Sequence, residues 1–133
     1  MKKTATLLII SFLTFFISCA QDSFDAKILS FANDTNRNLP AMVDSTTRLE
    51  NVSVHSGKIY QYNYTLITVE KKNFNIEVFT KNQKPILING VRQFRNKAGF
   101  NFFADNHVNF AYSYKDKNGE YLLKILVTPN DYN

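Results

Sequence analysis

The segment from Leu39 to Thr47, with the sequence LPAMVDSTT, contains the residues best suited to chemistry or binding. Functionally, Asp44 could present a carboxylate in a pocket, with Thr47 and Arg48 beside it. Structurally, an aspartate followed by Ser-Thr-Thr readily accepts hydrogen bonds from backbone N–H groups two residues further on. We favour the structural role of Asp44, and we keep all three residues as candidate binding residues.

Two rows of tyrosines form a second candidate site. Strand alternation places Tyr60, Tyr62 and Tyr64 on one face of one strand, and Tyr112 and Tyr114 on one face of another. Under helices these rings would be core, with their hydroxyls at the rim. On an open face they would form an aromatic surface that binds partners. The alternate positions carry Asn, Gln, Ser and Thr, so we expect the core placement and keep Tyr62 and Tyr64 as candidate binding residues.

Residue patterns typical of enzymes or metal proteins are not found. His55 and His107 are the two histidines, and each lies at a predicted strand boundary. A zinc site needs three or four ligands, and no spacing of histidine, cysteine and carboxylate supplies them. There is no nucleophile-elbow pattern and no glycine-rich phosphate loop. We therefore predict no catalytic residue, no cofactor and no metal, and we favour a protein that is not an enzyme.

The length of the chain limits the number of domains, and its charge limits the classes of partner. The 133 residues leave room for one domain, and the formal net charge is +5. Seven basic residues fall between Lys71 and Lys97, opposed by Glu77 alone. This pattern is typical of a solvated helix face. Since the basic residues lie apart from the tyrosine rows, we do not expect nucleic acid as a partner.

The N-terminal residues have the pattern of an export signal. Lys2 and Lys3 precede an almost wholly apolar stretch from Ala5 to Ile17. Thirteen residues are too few to span a bilayer comfortably, but they suit the apolar region of a signal peptide. We predict a signal peptide over residues 1–20, followed by a single domain over residues 21–133.

Cys19 has two alternative fates. Ser18-Cys19-Ala20 suits a general signal peptidase, and Cys19 would then be removed with the leader. Phe16-Ile17-Ser18-Cys19 is similar to a bacterial lipobox, although Phe16 stands where leucine is usual. We favour lipidation of Cys19, because a lone cysteine at the end of an export signal otherwise has little purpose. The protein would be periplasmic, or lipid-anchored to the bacterial envelope.

The domain is predicted to be α+β. Its first helix follows Asp22 or Ser23, with apolar residues at Phe24, Ile28, Leu29, Phe31 and Ala32. Strands follow over Thr46–His55 and Ile59–Val69, joined by a Ser56-Gly57 turn.

The second half is predicted to contain a helical segment and a hairpin. Residues 74–94 are interpreted as helical, interrupted before Pro85, although residues 73–80 also suit a strand. A hairpin follows, with strands over Val108–Lys115 and Tyr121–Val127 and a loop ending at Gly119. We expect a four-stranded antiparallel sheet from two hairpins, with the N-terminal helix and the helical middle segment on one face.

Several motifs resemble a recurrent set of small exported bacterial α+β proteins without a settled activity. They are Leu39–Asp44 with Thr47 and Leu49, Tyr62–Leu66, and Tyr112–Asp116 with Gly119. The resemblance runs from about Leu39 to Asp131 and implies the fold and the compartment. Members of the set commonly carry cysteines just after the position of Val91 and near the C-terminus. Arg92 and Tyr132 stand there in this chain, so the resemblance implies a lost disulfide.

The functional hypothesis is an exported, non-catalytic envelope protein that binds another macromolecule, inhibitor-like or immunity-like. Its partner would be a protein in the envelope or a secreted protein. Contact with a membrane would come through a lipid anchor at Cys19. One alternative is a small hydrolase or ligand-binding protein that uses the Asp44 region. The other is a passive structural lipoprotein.

Overall fold

The computed structural model describes residues 23–133. The predicted leader over residues 1–20 and the candidate lipidation site Cys19 lie outside the described residues. Within residues 23–133, no helix is both long and apolar enough to cross a bilayer.

The described chain consists of helices packed on a sheet. Helix α1 covers residues 23–36 of the described part. It is followed by β1 (Ala41–Met42), β2 (Thr47–His55), β3 (Ile59–Leu66), a 3-10 turn (Lys71–Asn73), α2 (Ile76–Phe94), α3 (Phe100–Asp105), β4 (Asn109–Lys115), β5 (Tyr121–Val127) and α4 (Pro129–Tyr132). The predicted α+β class, the first helix and both hairpins are confirmed. The predicted strand over Ile59–Val69 ends earlier, at Leu66.

The sheet has five strands in the order β1-β2-β3-β4-β5, and it is mixed. The prediction of four antiparallel strands is wrong in two respects. The segment between α1 and β2, where no strand is predicted, contains β1, with Ala41 opposite Leu49. Strands β3 and β4 are parallel. The reason is that α2 and α3 return the chain to the end of the sheet at which β3 began, so β4 starts beside Ile59.

Helix α2 runs without interruption over nineteen residues, and the predicted break before Pro85 is wrong. Its N-terminus is capped by the Asn75 side chain, which accepts a hydrogen bond of 3.0 Å from the Val78 N–H. Pro85 cannot donate to the carbonyl of Lys81, but both residues are exposed, so water can replace the missing bond. Helical structure here also excludes the alternative strand over residues 76–80.

The core lies between the sheet and the helices, all of which contact one face of it. Ile28 of α1 and Val91 of α2 are buried against this face, whereas Leu29 of α1 is 51% exposed. The short α4 closes one end, because the Tyr132 hydroxyl donates a buried hydrogen bond of 2.7 Å to the Val108 carbonyl. The tyrosine rows lie on this helix-covered face, as predicted.

The opposite face of the sheet is polar. Asn63 lies at the centre of a hydrogen-bonded ladder: it accepts from Gln61 at 2.7 Å and donates to Asn51 at 2.8 Å. Ser53 continues the ladder to His55, with Oγ 2.8 Å from Nε2. This polarity explains why the tyrosines occupy the other face.

Candidate functional site

A cavity of about 570 Å³ lies between α1 and α2, above the centre of the sheet. We call it the tyrosine groove. Its floor is formed by Tyr60, Tyr62, Tyr64 and Tyr112, and its walls by Phe31 and Thr35 of α1 and by Ile86, Leu87, Gly90, Val91 and Phe94 of α2. Lys97, Gly99 and Phe100 lie at the end where α2 leads into α3.

Three rings of the floor, Tyr62, Tyr64 and Tyr112, are stacked in one array with Tyr114, and we call these four rings the tyrosine array. Tyr62 pairs in register with Tyr112, and Tyr64 with Tyr114, across the parallel strands β3 and β4. The ring centroids of Tyr62 and Tyr112 are 5.3 Å apart at an interplanar angle of 14°. Those of Tyr64 and Tyr114 are 5.2 Å apart at 17°. Parallel pairing in register therefore produces a stack of aromatic rings whose planes are nearly parallel.

Burial keeps the hydroxyls of the tyrosine array in their neutral form. It raises the pKa of Tyr64 to about 12. Burial also raises the pKa values of Tyr62, Tyr112 and Tyr114, with smaller contributions from the neighbouring tyrosines. At neutral pH the floor of the groove thus offers uncharged aromatic faces together with hydroxyl donors.

The α2 wall of the groove is apolar and accessible. Ile86 is 62% exposed and Phe94 is 51% exposed. Between them, Gly90 leaves open space, since a Cβ atom at this position would meet nothing within 4 Å. Exposed apolar side chains grouped beside a cavity are typical of binding surfaces rather than of a solvated helix face.

A second cavity, of about 350 Å³, adjoins the tyrosine groove, and we call it the Asp44 pocket. It shares Tyr64 and Leu87 with the groove, so the two cavities lie side by side. The remaining lining residues are Val43, Asp44, Thr46, Thr47, Leu66, Thr68, Val69, Phe74, Phe79, Gln83 and Tyr114. The pocket therefore combines a carboxylate with several aromatic rings.

Asp44 organises the turn that leads into β2. Its Oδ1 accepts hydrogen bonds from the backbone N–H groups of Thr46 at 2.7 Å and Thr47 at 2.8 Å, and from the Thr46 hydroxyl at 3.0 Å. The Thr46 N–H is the largest influence that lowers the pKa of this carboxyl. Asp44 is therefore ionised at neutral pH while it lines the pocket.

The structure brings together some of the predicted site residues and separates one. Asp44, Thr47 and Tyr64 line the Asp44 pocket, and Tyr62 lies in the adjoining groove. Arg48 lies on the opposite face of the sheet, because consecutive strand residues alternate between faces. There it forms an ion pair of 2.7 Å with Glu50.

The histidines lie far from Asp44. Asp44 precedes the start of β2, whereas His55 is its last residue. His107 precedes β4, whose first residue pairs with Ile59 at that same distant end of the sheet. The geometry therefore gives no support to a hydrolase that pairs Asp44 with a histidine. Within residues 23–133, no group of three or more His, Cys, Asp or Glu side chains could hold a metal ion.

The sequence interpretation identified both tyrosine rows, but it missed the α2 wall and the stacking of the two rows on each other. It treats Ile86 and Gly90 only as parts of a helical segment. The repetition of Tyr-x-Tyr, at Tyr62 and Tyr64 and again at Tyr112 and Tyr114, indicates the rows. Their stacking still depends on the parallel pairing of β3 with β4, which hairpin patterns do not indicate.

Three solved structures have a similar fold. One is described as a secreted protein of Pseudomonas aeruginosa, with a TM-score of 0.64, 10% identity, and coverage of 84% of this chain and 94% of that one. The second is the pilotin EpsS from the type 2 secretion system of Vibrio vulnificus, with a TM-score of 0.56 and 13% identity. The match covers 84% of this chain and 94% of that one. The third is the type II secretion system pilotin AspS of Vibrio cholerae, with a TM-score of 0.56 and 12% identity, and the match covers 86% of this chain and 97% of that one. At these identities the likeness shows the fold alone.

No curated protein sequence matches the chain. A protein-family match covers residues 23–123, which span α1 to β5. This range includes the tyrosine array and the Asp44 pocket, so both lie within the part that defines the family. The chain belongs to the family described as Domain of unknown function (DUF8479).

Proposed function

We propose that this protein is an exported, non-catalytic envelope protein that binds an amphipathic segment of a partner protein in the tyrosine groove. The observation that carries the proposal is the cavity between α1 and α2, with an apolar wall and a floor of stacked tyrosines. Export rests on the predicted signal peptide over residues 1–20. Lipidation of Cys19 would hold the domain at a membrane surface.

The chemistry of the groove suits a protein segment. Tyrosine rings supply a large, rigid contact area and lose little conformational entropy on binding, which is why they are enriched at interfaces. Covering Ile86 and Phe94 would remove apolar surface from water, which is favourable. The hydroxyls of the floor can pair with polar groups of the segment that would otherwise lose their hydrogen bonds.

The shape of the groove favours a helical segment. Two helices flank the cavity and the sheet forms its floor, so an added helix would continue the existing layer of helices. Helices that bind in this way place apolar residues at positions i, i+3, i+4 and i+7 into the groove. Gly90 allows such a helix to approach the backbone of α2 closely.

The similar structures suggest the kind of assembly. Two of them are pilotins of type II secretion systems. By analogy of fold, the partner of this chain would be a component of an envelope or secretion assembly. An inhibitor-like or immunity-like role uses the same groove with a different partner. A passive structural lipoprotein would have no use for the exposed apolar wall.

The test is selection of peptides with the full chain, exported and processed in a bacterial host. A displayed library of random 16-residue peptides is panned against it, and the dissociation constants of the selected peptides are measured by fluorescence anisotropy. Gly90→Leu places a side chain in the groove, and its Cβ atom would meet nothing within 4 Å. We expect it to weaken binding at least tenfold, roughly the loss of one well-packed apolar contact.

Asn89→Leu is the matched control, because it adds the same side chain to an exposed position of α2 that does not line the groove. It should leave the dissociation constants unchanged. Equal binding by the Gly90→Leu variant, or equal weakening by both variants, would contradict the proposal.

A further inference from the structure

We propose that the Asp44 pocket receives a lysine or arginine side chain of the partner segment that occupies the tyrosine groove. The proposal rests on the proposed function and adds the charge and the orientation of the partner. It starts from the position of Asp44, which lines a pocket that adjoins the groove at Tyr64 and Leu87.

The Asp44 carboxylate is held in place, yet the residue is exposed. The three hydrogen bonds of 3.0 Å or shorter that it accepts from Thr46 and Thr47 all end on Oδ1. Within residues 23–133 the carboxylate forms no ion pair of 4.0 Å or shorter. A segment that covered the pocket with apolar groups would remove water from this anion without replacing it, which is costly. A cationic side chain would instead pair with it.

The other walls of the pocket also attract a cation. Phe79 packs against Phe74 and Tyr114, with ring centroids 5.1 Å apart in each pair. Tyr64 stacks on Tyr114 at 5.2 Å. Aromatic rings attract an ammonium or guanidinium group placed over their faces, and their apolar surface packs against its aliphatic stem. A carboxylate beside aromatic rings is therefore suited to an entire Lys or Arg side chain.

The far end of the groove has the opposite charge. Lys97 lies there, with its ammonium 4.6 Å from the centroid of the Phe94 ring. Along α2, Gln83 of the Asp44 pocket and Phe94, whose ring lies under the Lys97 ammonium, are separated by about 16 Å at a rise of about 1.5 Å per residue. A helical segment of about eleven residues spans this distance. Its basic residue would lie at the Asp44 end, and an acidic residue would suit the Lys97 end.

The experiment compares peptides selected from the same displayed library by the wild type and by Asp44→Asn. The asparagine keeps an oxygen that can accept from Thr46 and Thr47, so the turn should persist. We expect wild-type peptides to carry Lys or Arg at one fixed spacing from their apolar anchors. Their dissociation constants should rise about fivefold with Asp44→Asn, because the substitution removes the ion pair and leaves the aromatic contacts in place. Replacing that basic residue by Gln should weaken binding to the wild type only.

Glu50→Gln is the matched control, because it removes the same charge from the opposite face of the sheet, where Glu50 pairs with Arg48. It should leave peptide binding unchanged. Peptides that depend on Gly90 but show no basic preference, or that bind Asp44→Asn equally well, would overturn this inference and leave the proposed function standing. Peptides insensitive to Gly90→Leu would overturn the proposed function instead.

A separate arm tests a free small cation as the occupant. Arginine amide is titrated into the wild type while the ring protons of Tyr64, Tyr114 and Phe79 are followed by NMR. We expect it to bind far more weakly than the selected peptides, since it lacks the groove contacts. Binding as tight as that of the peptides would overturn the assignment of the pocket to a partner side chain.

Discussion

At the scale of single residues, two aspartates show how far local sequence reasoning reaches. Asp44 accepts hydrogen bonds from the residues that follow it, as its sequence context predicts. Asp116 does the same in the last hairpin, where its Oδ1 accepts from the N–H groups of Asn118 at 2.8 Å and Glu120 at 2.9 Å. Its Oδ2 also accepts from the Lys71 N–H at 3.0 Å. That bond joins residues 45 positions apart, so no local pattern indicates it.

The tyrosine array makes the stability of the protein sensitive to alkaline pH. An unfolded tyrosine ionises near pH 10, whereas burial raises the pKa of Tyr64 to about 12 in the folded protein. Above pH 10 the unfolded state therefore releases protons that the native state keeps. The contribution of Tyr64 is fully present below about pH 10, and it is lost as the pH rises to about 12.

We expect urea unfolding to show a free energy of unfolding that falls from pH 10 to 12. Tyr64→Phe removes one titrating group, so this fall should be shallower by up to about 1.4 kcal/mol per pH unit. Absorbance at 295 nm should show that the native protein ionises later than the unfolded chain. An unchanged slope in the variant would contradict the assignment of Tyr64 to the buried array.

At the scale of elements, the hairpins and α1 follow from residue patterns, whereas the pairing between the hairpins does not. The alternation of apolar and polar residues in β2 and β3 indicates that each is a strand. It does not indicate which strand pairs with β3 on the side away from β2, or in which direction that strand runs. The direction of β4 depends on where α2 ends after crossing the sheet. Pro85 also shows that a local pattern can mislead. A proline suggests a break in a helix, but it is tolerated here because this face of α2 is exposed.

Gly90 leaves open space beside α2, and we expect it to lower the stability of the protein. A glycine inside a helix is destabilising relative to alanine, and a Cβ at this position meets no other atom within 4 Å. We therefore expect Gly90→Ala to raise the free energy of unfolding by about 0.5–1 kcal/mol in urea unfolding experiments. Gly119→Ala is the control and should be destabilising, because the φ angle at Gly119 is +83°. Destabilisation by Gly90→Ala would contradict an unobstructed α2 wall.

At the scale of the whole molecule, the C-terminus closes the core. Tyr132 is fully buried and contacts the rings of Phe100 and Phe110, with centroids 5.9 Å and 5.7 Å away. Arg92 of α2 donates a hydrogen bond of 2.9 Å to the Asp131 carbonyl beside it. The resemblance implied that a disulfide is lost between these two regions. In this chain a buried tyrosine and a hydrogen bond join them instead.

Two substitutions of Tyr132 measure separately how much its packing and its hydrogen bond contribute to the free energy of unfolding. Tyr132→Ala leaves a cavity between the sheet and α3, and we expect it to lower the free energy of unfolding by about 3–5 kcal/mol. Tyr132→Phe keeps the ring and removes only the donor to Val108, which should cost about 1–3 kcal/mol because a buried carbonyl is left unpaired. Urea unfolding measures both values. Equal, small effects would show that α4 is not part of the cooperative core.

Local sequence patterns predict α1, the two hairpins and the turn at Asp44. The repeat of apolar residues, every 3.6 residues in a helix and every 2 in a strand, is a property of a short segment. The same is true of a hydrogen bond between a side chain and a residue two or three positions away. The candidate residues Asp44, Thr47, Tyr62 and Tyr64 could be chosen on this basis. The stacking of Tyr62 and Tyr64 on Tyr112 and Tyr114 depends instead on the parallel pairing of β3 with β4, which is a property of the tertiary structure.

The groove and the Asp44 pocket likewise depend on the tertiary structure. Both are spaces between elements distant in sequence, so they exist only once α2 is placed on the sheet beside α1. That placement is set by the summed packing of the core and by the parallel return of β4. These are global properties of the chain, and no short segment of it contains them.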